Sequence, residues 1–467
     1  ERVPRVADHR VLAINRGEKA GFLQVSLTAP DETANRVIAQ RYVRPDALTA
    51  PQVAMAAQDA WDRLIFPSLE REVRNELTDR ANVGAIRVFS QNLQQLLMQP
   101  PIKGRVTLGV DPGFRTGCKL AVVDENGKVL ETGVGHFTLP GQTRQQEQAR
   151  QLICGMVARH HVTAFAIGNG TASRESEQFI ASLLPSLPQG IAYTIVSEAG
   201  ASVYSASKLA AQEFPDFDVS LRSAVSIARR MQDPLAELVK IDPRSIGVGQ
   251  YQHDLKQNEL TAALDGVVEH CVNSVGVELS TASAELLSHV AGIGPALAKN
   301  IVAYRDENGL PSRAALKKVP KLGPRAYEQC AGFLRVQGSK NPLDATAVHP
   351  ESYDAAKALL RALDITADEL KKGGIPGILE KARAYGLEKL AGETGLGLPT
   401  LQDILAELQK PGRDPREDLP QPILRTDVLD IKDLKPGMEL MGTVRNVIDF
   451  GAFVDIGVHQ DGLVHIS

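Results

Sequence analysis

The sequence predicts a multidomain protein that is mostly α-helical, with one α/β domain, helical hairpins and a partial β-barrel at the C-terminus. Three observations lead to this prediction. Strand-like and helix-like runs alternate between residues 103 and 240, two helix–turn–helix patterns with Gly-Pro turns follow each other within residues 281–340, and short strand-like runs close the chain. The 467 residues allow roughly three or more domains.

The composition is that of an ordinary globular protein, with 43% hydrophobic and 23% charged residues. No apolar run is long enough to span a membrane, so we expect no membrane partner. The chain starts with neither a signal peptide nor an initiator methionine, and we expect an internal fragment. The four cysteines are far apart and lack the spacing of metal ligands, which favours reduced thiols and a cytoplasmic location.

Residues 1–102 form the first predicted region, with a β-hairpin and helices. The segment from His9 to Leu27 predicts two strands joined by a turn that contains Gly17 and Gly21. A helical pattern follows from Gln52 to Met98, and "QPPIKG" at 99–104 marks a boundary. Apolar residues at helical spacing predict a buried stripe, made of Trp61, Leu64, Ile65, Leu69 and Val73.

Residues 103–240 form the predicted α/β domain. An apolar run from Val106 to Val110 ends at a carboxylate, Asp111, and two further strand-like runs follow, joined by Asn126-Gly127. Two helix–strand pairs and further helices complete the domain. Three antiparallel-looking strands followed by this alternation have the element order of an RNase H-like fold.

A glycine-rich loop, "GNGTASRESEQF" at 168–179, follows one of these strands. Such a loop can cradle a phosphate, but this one lacks the lysine and the full glycine pattern of a P-loop. A tight turn into an N-capped helix is the favoured interpretation.

Residues 241–340 contain two similar helix–turn–helix segments. In the first, Gly292-Ile293-Gly294 turns the chain and Pro295 occupies a favoured first helical position. Glycines allow close approach of a ligand, and the unpaired N–H groups at the start of the next helix attract phosphate. Lys299 lies one turn further on. The alternative is that these glycines only cap helices.

The second segment repeats the pattern with Lys321, Gly323 and Arg325 around its turn. Residues 281–340 carry nine lysines and arginines and four acids, a net charge of +5 in a chain of net charge −4. The pair resembles a tandem helix-hairpin-helix module, which binds the sugar-phosphate backbone of nucleic acids without reading the sequence. The resemblance assigns one nucleic-acid-binding set: Gly292, Ile293, Gly294, Lys299, Lys321, Gly323 and Arg325.

The last part, residues 423–467, follows a helical region and a proline-rich linker at 341–422. Its "FGAF" and "GLVHIS" motifs resemble the first strands of the ribosomal S-one-type RNA-binding domain, an OB fold. The resemblance implies a truncated domain whose aromatic side chains stack on bases of single strands. The residues assigned to this site are Arg445, Phe450, Phe453 and His465; the alternative is that both phenylalanines are half-buried strand residues.

The order of these modules resembles that of the Tex family of bacterial transcription accessory proteins. Several stretches carry the resemblance individually: "HRVLAINRGE", "GVDPGFRTGCK", "SEAGASVYSAS", "IGVGQYQHDL" and "KLGPRAYEQCAGFLR". It implies a YqgF-type RNase H-like domain, cytoplasmic binding of RNA and DNA that is largely independent of sequence, and a link to transcription. RNA polymerase or ribosome components are the protein partners it suggests.

In the YqgF pattern, Asp111 is the first acid and Glu198 matches the second. Nucleases of this fold need three or four converging carboxylates to hold two divalent ions. The third position, near Arg222-Ser223-Ala224, has no acid, and Asp218 or Asp233 would have to shift to replace it. We therefore interpret Asp111 and Glu198 as degenerate remnants, with no metal and no cofactor.

Three hypotheses follow. The favoured one is a nucleic-acid-binding transcription accessory factor without enzymatic activity. The alternative is a metal-dependent, structure-selective nuclease of the resolvase type, which would use Asp111 and Glu198. The third is a protein scaffold whose RNase H-like domain docks a component of a larger machine.

Overall fold

The computed structural model describes residues 2–247, 249, 251–426, 434–440, 442–448, 451–456, 458 and 462–465. The chain divides into two compact units, Glu1–Gln94 with Gly247–Val267, and Gln95–Ile246 with Val268–Ser467. Within the described ranges, no helix is both long and apolar enough to cross a membrane.

The first unit is helical. Its helices are α1 (Asp8–Lys19), α2 (Asp31–Tyr42), α3 (Ala50–Ala60) and most of α4 (Phe66–Leu97), with a π-helical turn at Trp61–Ile65.

The β-hairpin predicted for His9–Leu27 is wrong, because its first half is the helix α1. Val11 is buried, and Asn15 and Glu18 lie on the same face one and two turns later. Asn15 Nδ2 donates to Thr78 Oγ1 at 3.0 Å, and Glu18 forms an ion pair with an arginine of α4. Two of the inward-facing residues are thus polar, so the helical period of α1 does not show as a period of apolar residues.

The buried stripe predicted around Trp61 is also largely wrong. Trp61 is buried and donates from Nε1 to Asp31 Oδ1 at 3.0 Å, but Leu64 is 63% exposed and Leu69 is 43% exposed. The π-helical turn explains the difference. It adds a residue to one turn, so later residues rotate away from the face that Trp61 occupies.

The second unit begins with a five-stranded sheet and its helices. The strand order is β3-β2-β1-β4-β5, with β1, β2 and β3 antiparallel and β1, β4 and β5 parallel. This arrangement confirms the predicted RNase H-like α/β domain. The elements are β1 (Thr107–Asp111), β2 (Cys118–Val123), β3 (Val129–Gly135), α5 (Thr143–His160), β4 (Ala164–Gly168), α6 (Ser173–Leu183), β5 (Ala192–Val196), α7 (Ala201–Ser205), α8 (Lys208–Glu213), α9 (Val219–Gln232) and α10 (Pro234–Leu238).

Helices cover both faces of the sheet. One face packs on α5 and α6 through a large apolar core, and the other face carries α9. Gly109 in β1 makes the second contact possible, since a Cβ there would lie 2.3 Å from the carbonyl oxygen of Ala224 in α9. This close approach brings the start of α9 beside the end of β1, where Asp111 lies.

Helices and short strands continue from residue 257 to residue 409. They are α11 (Gln257–Val275), β6 (Val277–Glu278), α12 (Ala284–Leu287), α13 (Pro295–Asn308), α14 (Pro324–Cys330), β7 (Leu334–Arg335), α15 (Tyr353–Ala362), α16 (Ala367–Leu370), α17 (Ile378–Tyr385), α18 (Leu387–Thr394) and α19 (Leu398–Gln409). The last five helices share their own apolar core.

The proline-rich segment expected to be a linker packs on the sheet domain. Arg416 is 1% exposed, with Nη1 2.7 Å from Asp233 Oδ1 and Nη2 2.8 Å from Asp414 Oδ2. Further along, Arg425 exchanges two backbone hydrogen bonds, of 2.8 and 2.9 Å, with Tyr193 on the edge strand β5. Two of the charges that suggested a linker, Asp414 and Arg416, are therefore internal partners, while Arg413 and Asp418 are exposed.

A three-stranded antiparallel sheet closes the described chain. Its order is β10-β9-β8, formed by β8 (Thr443–Ile448), β9 (Gly451–Asp455) and β10 (Gly462–His465). These are the three strands expected for the start of an OB fold; no closed barrel is present among the described residues.

Candidate nucleic-acid interface and acid pocket

The two predicted acids meet at one end of the five-stranded sheet. Asp111 ends β1, and Glu198 follows β5, two strands away on the same parallel side. Both line a cavity of about 550 Å³, together with Asp218 at the start of α9 and several serines. The carboxyl ends of parallel strands share an edge, which is why distant residues come together here.

Asp111 has an unusual environment for a carboxylate. The pKa of Asp111 is raised to about 6, mainly by burial and also by the nearby charge of Glu198, while the Ser223 hydroxyl and the Lys119 ammonium oppose this shift. Lys119 Nζ is itself held by the carbonyl oxygens of Thr116 and Gly117, at 2.8 and 2.9 Å. Asp111 therefore takes up a proton at a higher pH than an ordinary aspartate does.

The glycine-rich loop after β4 makes room for Glu198 and forms hydrogen bonds with it. A Cβ on Gly170 would lie 1.6 Å from Glu198 Oε1, and the amide of Gly170 donates to that carboxylate. Asn169 Oδ1 accepts from the backbone N–H of Glu198 at 3.0 Å. The predicted tight turn is confirmed, but α6 has no side-chain cap. The glycines are explained by an internal carboxylate, without invoking a phosphate.

Of the three residues near which the third acid was expected, Ser223 lines the cavity, and its hydroxyl bonds to Asp111. Asp218 lines the same cavity, but its carboxylate caps α9 by accepting from Leu221 N and Ser220 Oγ, at 2.8 and 2.7 Å. Within the described part of the chain, no three His, Cys, Asp or Glu side chains are grouped as metal ligands. This donor set does not fit the pair of divalent ions that such nucleases use.

We expect Asp111→Asn to stabilise the sheet domain at pH 7.5 by up to about 3 kcal/mol. The folded-state pKa is raised from 3.8 to about 6, so the neutral form is favoured by folding. The resulting stability is complete below pH 4 and is lost as the pH rises through about 6. Hydrogen exchange of the β1 amides at pH 4.5 and 7.5 measures the difference.

The control is Asp218→Asn in the same cavity. Hydrogen bonds from the amide of Leu221 and the hydroxyl of Ser220 lower the pKa of Asp218, so its charged form is favoured by folding. Asp218→Asn should therefore give no gain in stability at pH 7.5. Equal protection of β1 in wild type and Asp111→Asn at both pH values would contradict the prediction.

The two helix–turn–helix segments have matching turns, which we call the first elbow (residues 290–294) and the second elbow (residues 319–323). Each starts with a buried valine and continues through a residue with left-handed backbone, Gly292 with φ of +80° and Lys321 with φ of +66°. A buried apolar residue follows, and then an N-cap glycine, Gly294 or Gly323, immediately before a helix-starting proline.

The N-cap glycines are not required by the fold of the chain. Gly294 has φ −86° and Gly323 has φ −79°, which any residue can adopt. A Cβ at either position would meet no atom within 4 Å. Both glycines are exposed. Their lack of a side chain leaves room beside the first amides of each helix for something outside the chain.

Exposed cations surround these elbows. Lys299, Lys321 and Arg325 are all exposed, while Ile293 of the predicted set is buried as an internal anchor. Lys317 and Lys318, not assigned to the site from the sequence, are also exposed just before the second elbow, and Lys317 Nζ lies 4.8 Å from the centroid of the Tyr327 ring. Their double-lysine run beside the glycine turn was the signal that could have added them.

The charge count of residues 281–340 overstated the surface charge. Arg313 is fully buried and Arg335 is 9% exposed, while Arg305 Nη1 donates to the carbonyl oxygens of Leu279 and Ala282 at 3.3 and 2.6 Å. These guanidinium groups satisfy backbone carbonyls inside the fold. The cations available to a ligand are mostly lysines near the elbows.

In the C-terminal sheet, Phe453 of β9 pairs with Leu463 of β10, and His465 pairs with Gly451. Direct partners share a face and residues alternate along a strand, so Phe453 and His465 lie on the same face of the sheet. Phe453 is half-buried and His465 is exposed. Phe450 and the side chain of Arg445 lie outside the described residues; the backbone of β8 has an irregular register at residue 445.

Comparison with protein-family models gives five matches along the chain: "Tex central region-like" at 1–89, "Tex protein YqgF-like domain" at 105–232, "Helix-hairpin-helix motif" at 272–335, "HHH domain" at 341–416 and "S1 RNA binding domain" at 433–467. The fourth match covers helices that sequence reasoning left without a role.

Three curated relatives illustrate the similarity. The chain is 49% identical over 477 residues to "Transcriptional accessory protein Tex" of Neisseria gonorrhoeae, covering 100% of this chain and 61% of that protein. It is 52% identical over 469 residues to "Uncharacterized protein YdcI" of Bacillus subtilis, covering 100% and 64%. It is 38% identical over 528 residues to the human "S1 RNA-binding domain-containing protein 1", covering 99% and 52%. The chain thus spans about half to two thirds of the length of these relatives.

Proposed function

The chain belongs to the Tex family, and from this premise we propose that it is a nucleic-acid-binding transcription accessory factor. The two elbows would bind the sugar-phosphate backbone of DNA or RNA, and the C-terminal sheet would bind single strands. The observation that carries the proposal is the pair of exposed N-cap glycines, Gly294 and Gly323, which neither backbone conformation nor packing explains. The link to transcription rests on the name of the Neisseria gonorrhoeae relative.

The backbone at Lys321 supports the same proposal. A lysine with φ of +66° is strained by roughly 1 kcal/mol, and the first elbow has a glycine at the equivalent position. A non-glycine residue in this conformation suggests that its side chain has a use. An ammonium group beside an anion-binding turn would supply that use, since phosphate attracts positive charge.

In addition to the exposed cations, the N-termini of α13 and α14 would attract phosphate. The first amides of α13 have no side-chain cap at Gly294, and the same holds for α14 at Gly323. Unpaired N–H groups at the start of a helix bind anions, and backbone contacts of this kind do not discriminate between bases. The proposed binding is therefore largely independent of sequence.

The test is to fill the free space at the elbows. Gly294→Val and Gly323→Val place a branched side chain where the proposed phosphate lies, and both backbones suit valine. We expect each variant to lose about 10-fold in affinity for duplex DNA, roughly the worth of one hydrogen bond to a charged group. Fluorescence anisotropy with labelled duplexes of several sequences measures this loss.

Gly266→Val is the control for these variants. Gly266 lies in α11, and a Cβ there also meets no atom within 4 Å. This variant should bind DNA as the wild type does. Unchanged affinity in both elbow variants, with the wild-type fold retained, would rule out the elbows as the contact.

For the C-terminal sheet, we propose base stacking on the face that carries Phe453 and His465. Aromatic side chains on an OB-fold sheet bind single strands in this way, because every base has a π face. The predicted partners Phe450 and Arg445 belong to the same proposal. RNA polymerase or ribosome components, and a cytoplasmic location, likewise stay proposals.

A second candidate function is a structure-selective nuclease. Asp111 and Glu198 share one cavity, and the Gly170 amide holds the carboxylate of Glu198 in place. We propose that the domain is nevertheless degenerate, because Ser223 stands where a third acid would complete the set. Incubation of wild type and Asp111→Asn with branched DNA and Mg²⁺ or Mn²⁺ distinguishes an active nuclease from a degenerate domain. Cleavage that the substitution abolishes would establish the nuclease.

A further inference from the structure

Two asparagines hold the elbows from other helices. Asn273, near the end of α11, accepts from the backbone N–H of Ala291 at 3.1 Å through Oδ1, and its Nδ2 donates to the carbonyl oxygen of His289 at 3.4 Å. Asn300 in α13 donates from Nδ2 to the carbonyl oxygen of Pro320 at 3.2 Å. Ala291 and Pro320 are equivalent residues, each directly before the left-handed position of its elbow.

The difference between the two contacts follows from the sequence of the elbows. Ala291 offers a backbone N–H, which Asn273 binds as an acceptor. Pro320 has no N–H, so Asn300 can bind this residue only through its carbonyl oxygen. An amide side chain is suited to both positions, because it carries an acceptor and two donors.

These bonds act close to the proposed phosphate contacts. Among the described residues, the backbone hydrogen bond inside each elbow joins the fourth residue to the first: the N–H of Ile293 donates to Val290 O at 2.9 Å, and the N–H of Leu322 donates to Val319 O at 3.2 Å. The asparagines fix the chain one residue before the left-handed position, and the N-cap glycine follows two residues after that position. A rotation of the elbow about its anchors would turn the first helical amides away from a ligand.

The two hairpins also support each other. Asn300 belongs to the helix that follows the first elbow, yet it holds the second elbow. Conversely, the first elbow packs on α14 of the second hairpin, where a Cβ on Gly292 would lie 2.8 Å from Gln329 Cβ and 3.3 Å from the carbonyl oxygen of Ala326. Each elbow is therefore positioned by a neighbouring element as well as by its own turn.

We infer that Asn273 and Asn300 are positioning residues that hold the first and the second elbow, respectively, in the orientation that binds a nucleic-acid backbone. This inference rests on the proposed function. Neither residue needs to touch the nucleic acid. The expected effect of Asn273→Ala or Asn300→Ala is a loss of about 5- to 10-fold in affinity for duplex DNA, the size of one lost hydrogen bond.

A double-mutant cycle tests the inference. Asn300→Ala is combined with Gly323→Val, which disables the second elbow, and separately with Gly294→Val, which disables the first. Asn300→Ala should have no further effect on affinity in the Gly323→Val background and its full effect in the Gly294→Val background. Asn273→Ala should show the opposite pattern, because it acts through the first elbow.

Anisotropy titrations of the full chain with a duplex DNA of mixed sequence provide the affinities, and thermal unfolding confirms that each variant is folded. Asn308→Ala is the matched control, since Asn308 lies on the same helix as Asn300 and its side chain donates within that helix, to the carbonyl oxygen of Tyr304 at 3.3 Å. This control should leave the affinity unchanged. A general loss of structure would lower affinity equally in both backgrounds, which the pattern above excludes.

The outcomes separate the inference from its premise. If Gly294→Val and Gly323→Val both leave the affinity unchanged, the proposed function fails. If they weaken binding while the asparagine substitutions have no effect, or have equal effects in the two backgrounds, the positioning roles are overturned and the proposed function stands. If each asparagine substitution loses its effect on affinity only in the variant whose own elbow is disabled, the positioning roles and the proposed function are both supported.

Discussion

Replacing Lys299, Lys321 and Arg325 together by glutamate is expected to lower the affinity for duplex DNA about 10²- to 10³-fold at low salt. All three side chains are exposed and lie at or just after the two elbows. Each lysine or arginine that neutralises a phosphate releases a counterion, so the salt dependence of binding should also decrease, by about one unit of log–log slope per lost contact. The loss should be similar for all DNA sequences, because backbone contacts carry no base information.

The control for net charge is a triple variant on the sheet domain. Lys128, Arg144 and Lys208 are exposed there, and their replacement by glutamate changes the net charge by the same amount. This variant should lose only the small affinity that long-range repulsion removes, with its salt slope unchanged. If both triple variants lost affinity and slope equally, a diffuse charge effect would replace the elbows as the explanation.

Arg313→Met is expected to lower the free energy of unfolding by about 3–5 kcal/mol. Arg313 is fully buried, and its guanidinium group donates to Leu334 O at 2.6 Å, Val348 O at 2.7 Å and Tyr353 Oη at 2.7 Å. Methionine has a similar volume but donates no hydrogen bond. The substitution therefore leaves several buried carbonyl oxygens without partners.

Asp344 lies beside Arg313; it is 3% exposed and accepts from the backbone N–H of Arg313 at 3.1 Å and from the Tyr353 hydroxyl at 2.7 Å. Removing the arginine takes a buried positive charge away from the neighbourhood of this carboxylate, which adds to the cost. Denaturant unfolding followed by circular dichroism measures the change. Lys318→Met, an exposed residue of the same short helical segment, should change stability by less than about 0.5 kcal/mol. Equal effects of the two substitutions would contradict this account.

Much of the fold was predictable because its signals are local. Each elbow places a helix-starting proline after an N-cap glycine, and these backbone preferences act over a few residues. The five strands of the sheet domain were also predicted in order, since their apolar runs are short and bounded by turn residues. The helix α1 was missed where inward-facing positions are polar, as at Asn15 and Glu18, because their partners lie on a distant helix.

The residues of the candidate site also fall into those that the sequence identified and those that only the structure identified. The elbow glycines and the exposed lysines beside them were identified from the sequence. The roles of Asn273 and Asn300 were not, since each bonds to a residue 16 to 20 positions further along the chain. The charge count of residues 281–340 likewise did not separate the buried Arg313 from the exposed lysines, because a count of residues contains no information about burial.

The sequence by itself determined which residue types stand at the elbows and in which succession the strands follow along the chain. It also determined that no acid stands at residues 222–224. These properties depend on chemical identity and on local backbone preference, which neighbouring residues specify. Only the tertiary structure decided that Ser223 faces Asp111, that Gly170 makes room for Glu198 and that Arg313 is internal. Such contacts join residues far apart in the chain, and close packing alone selects which of them meet.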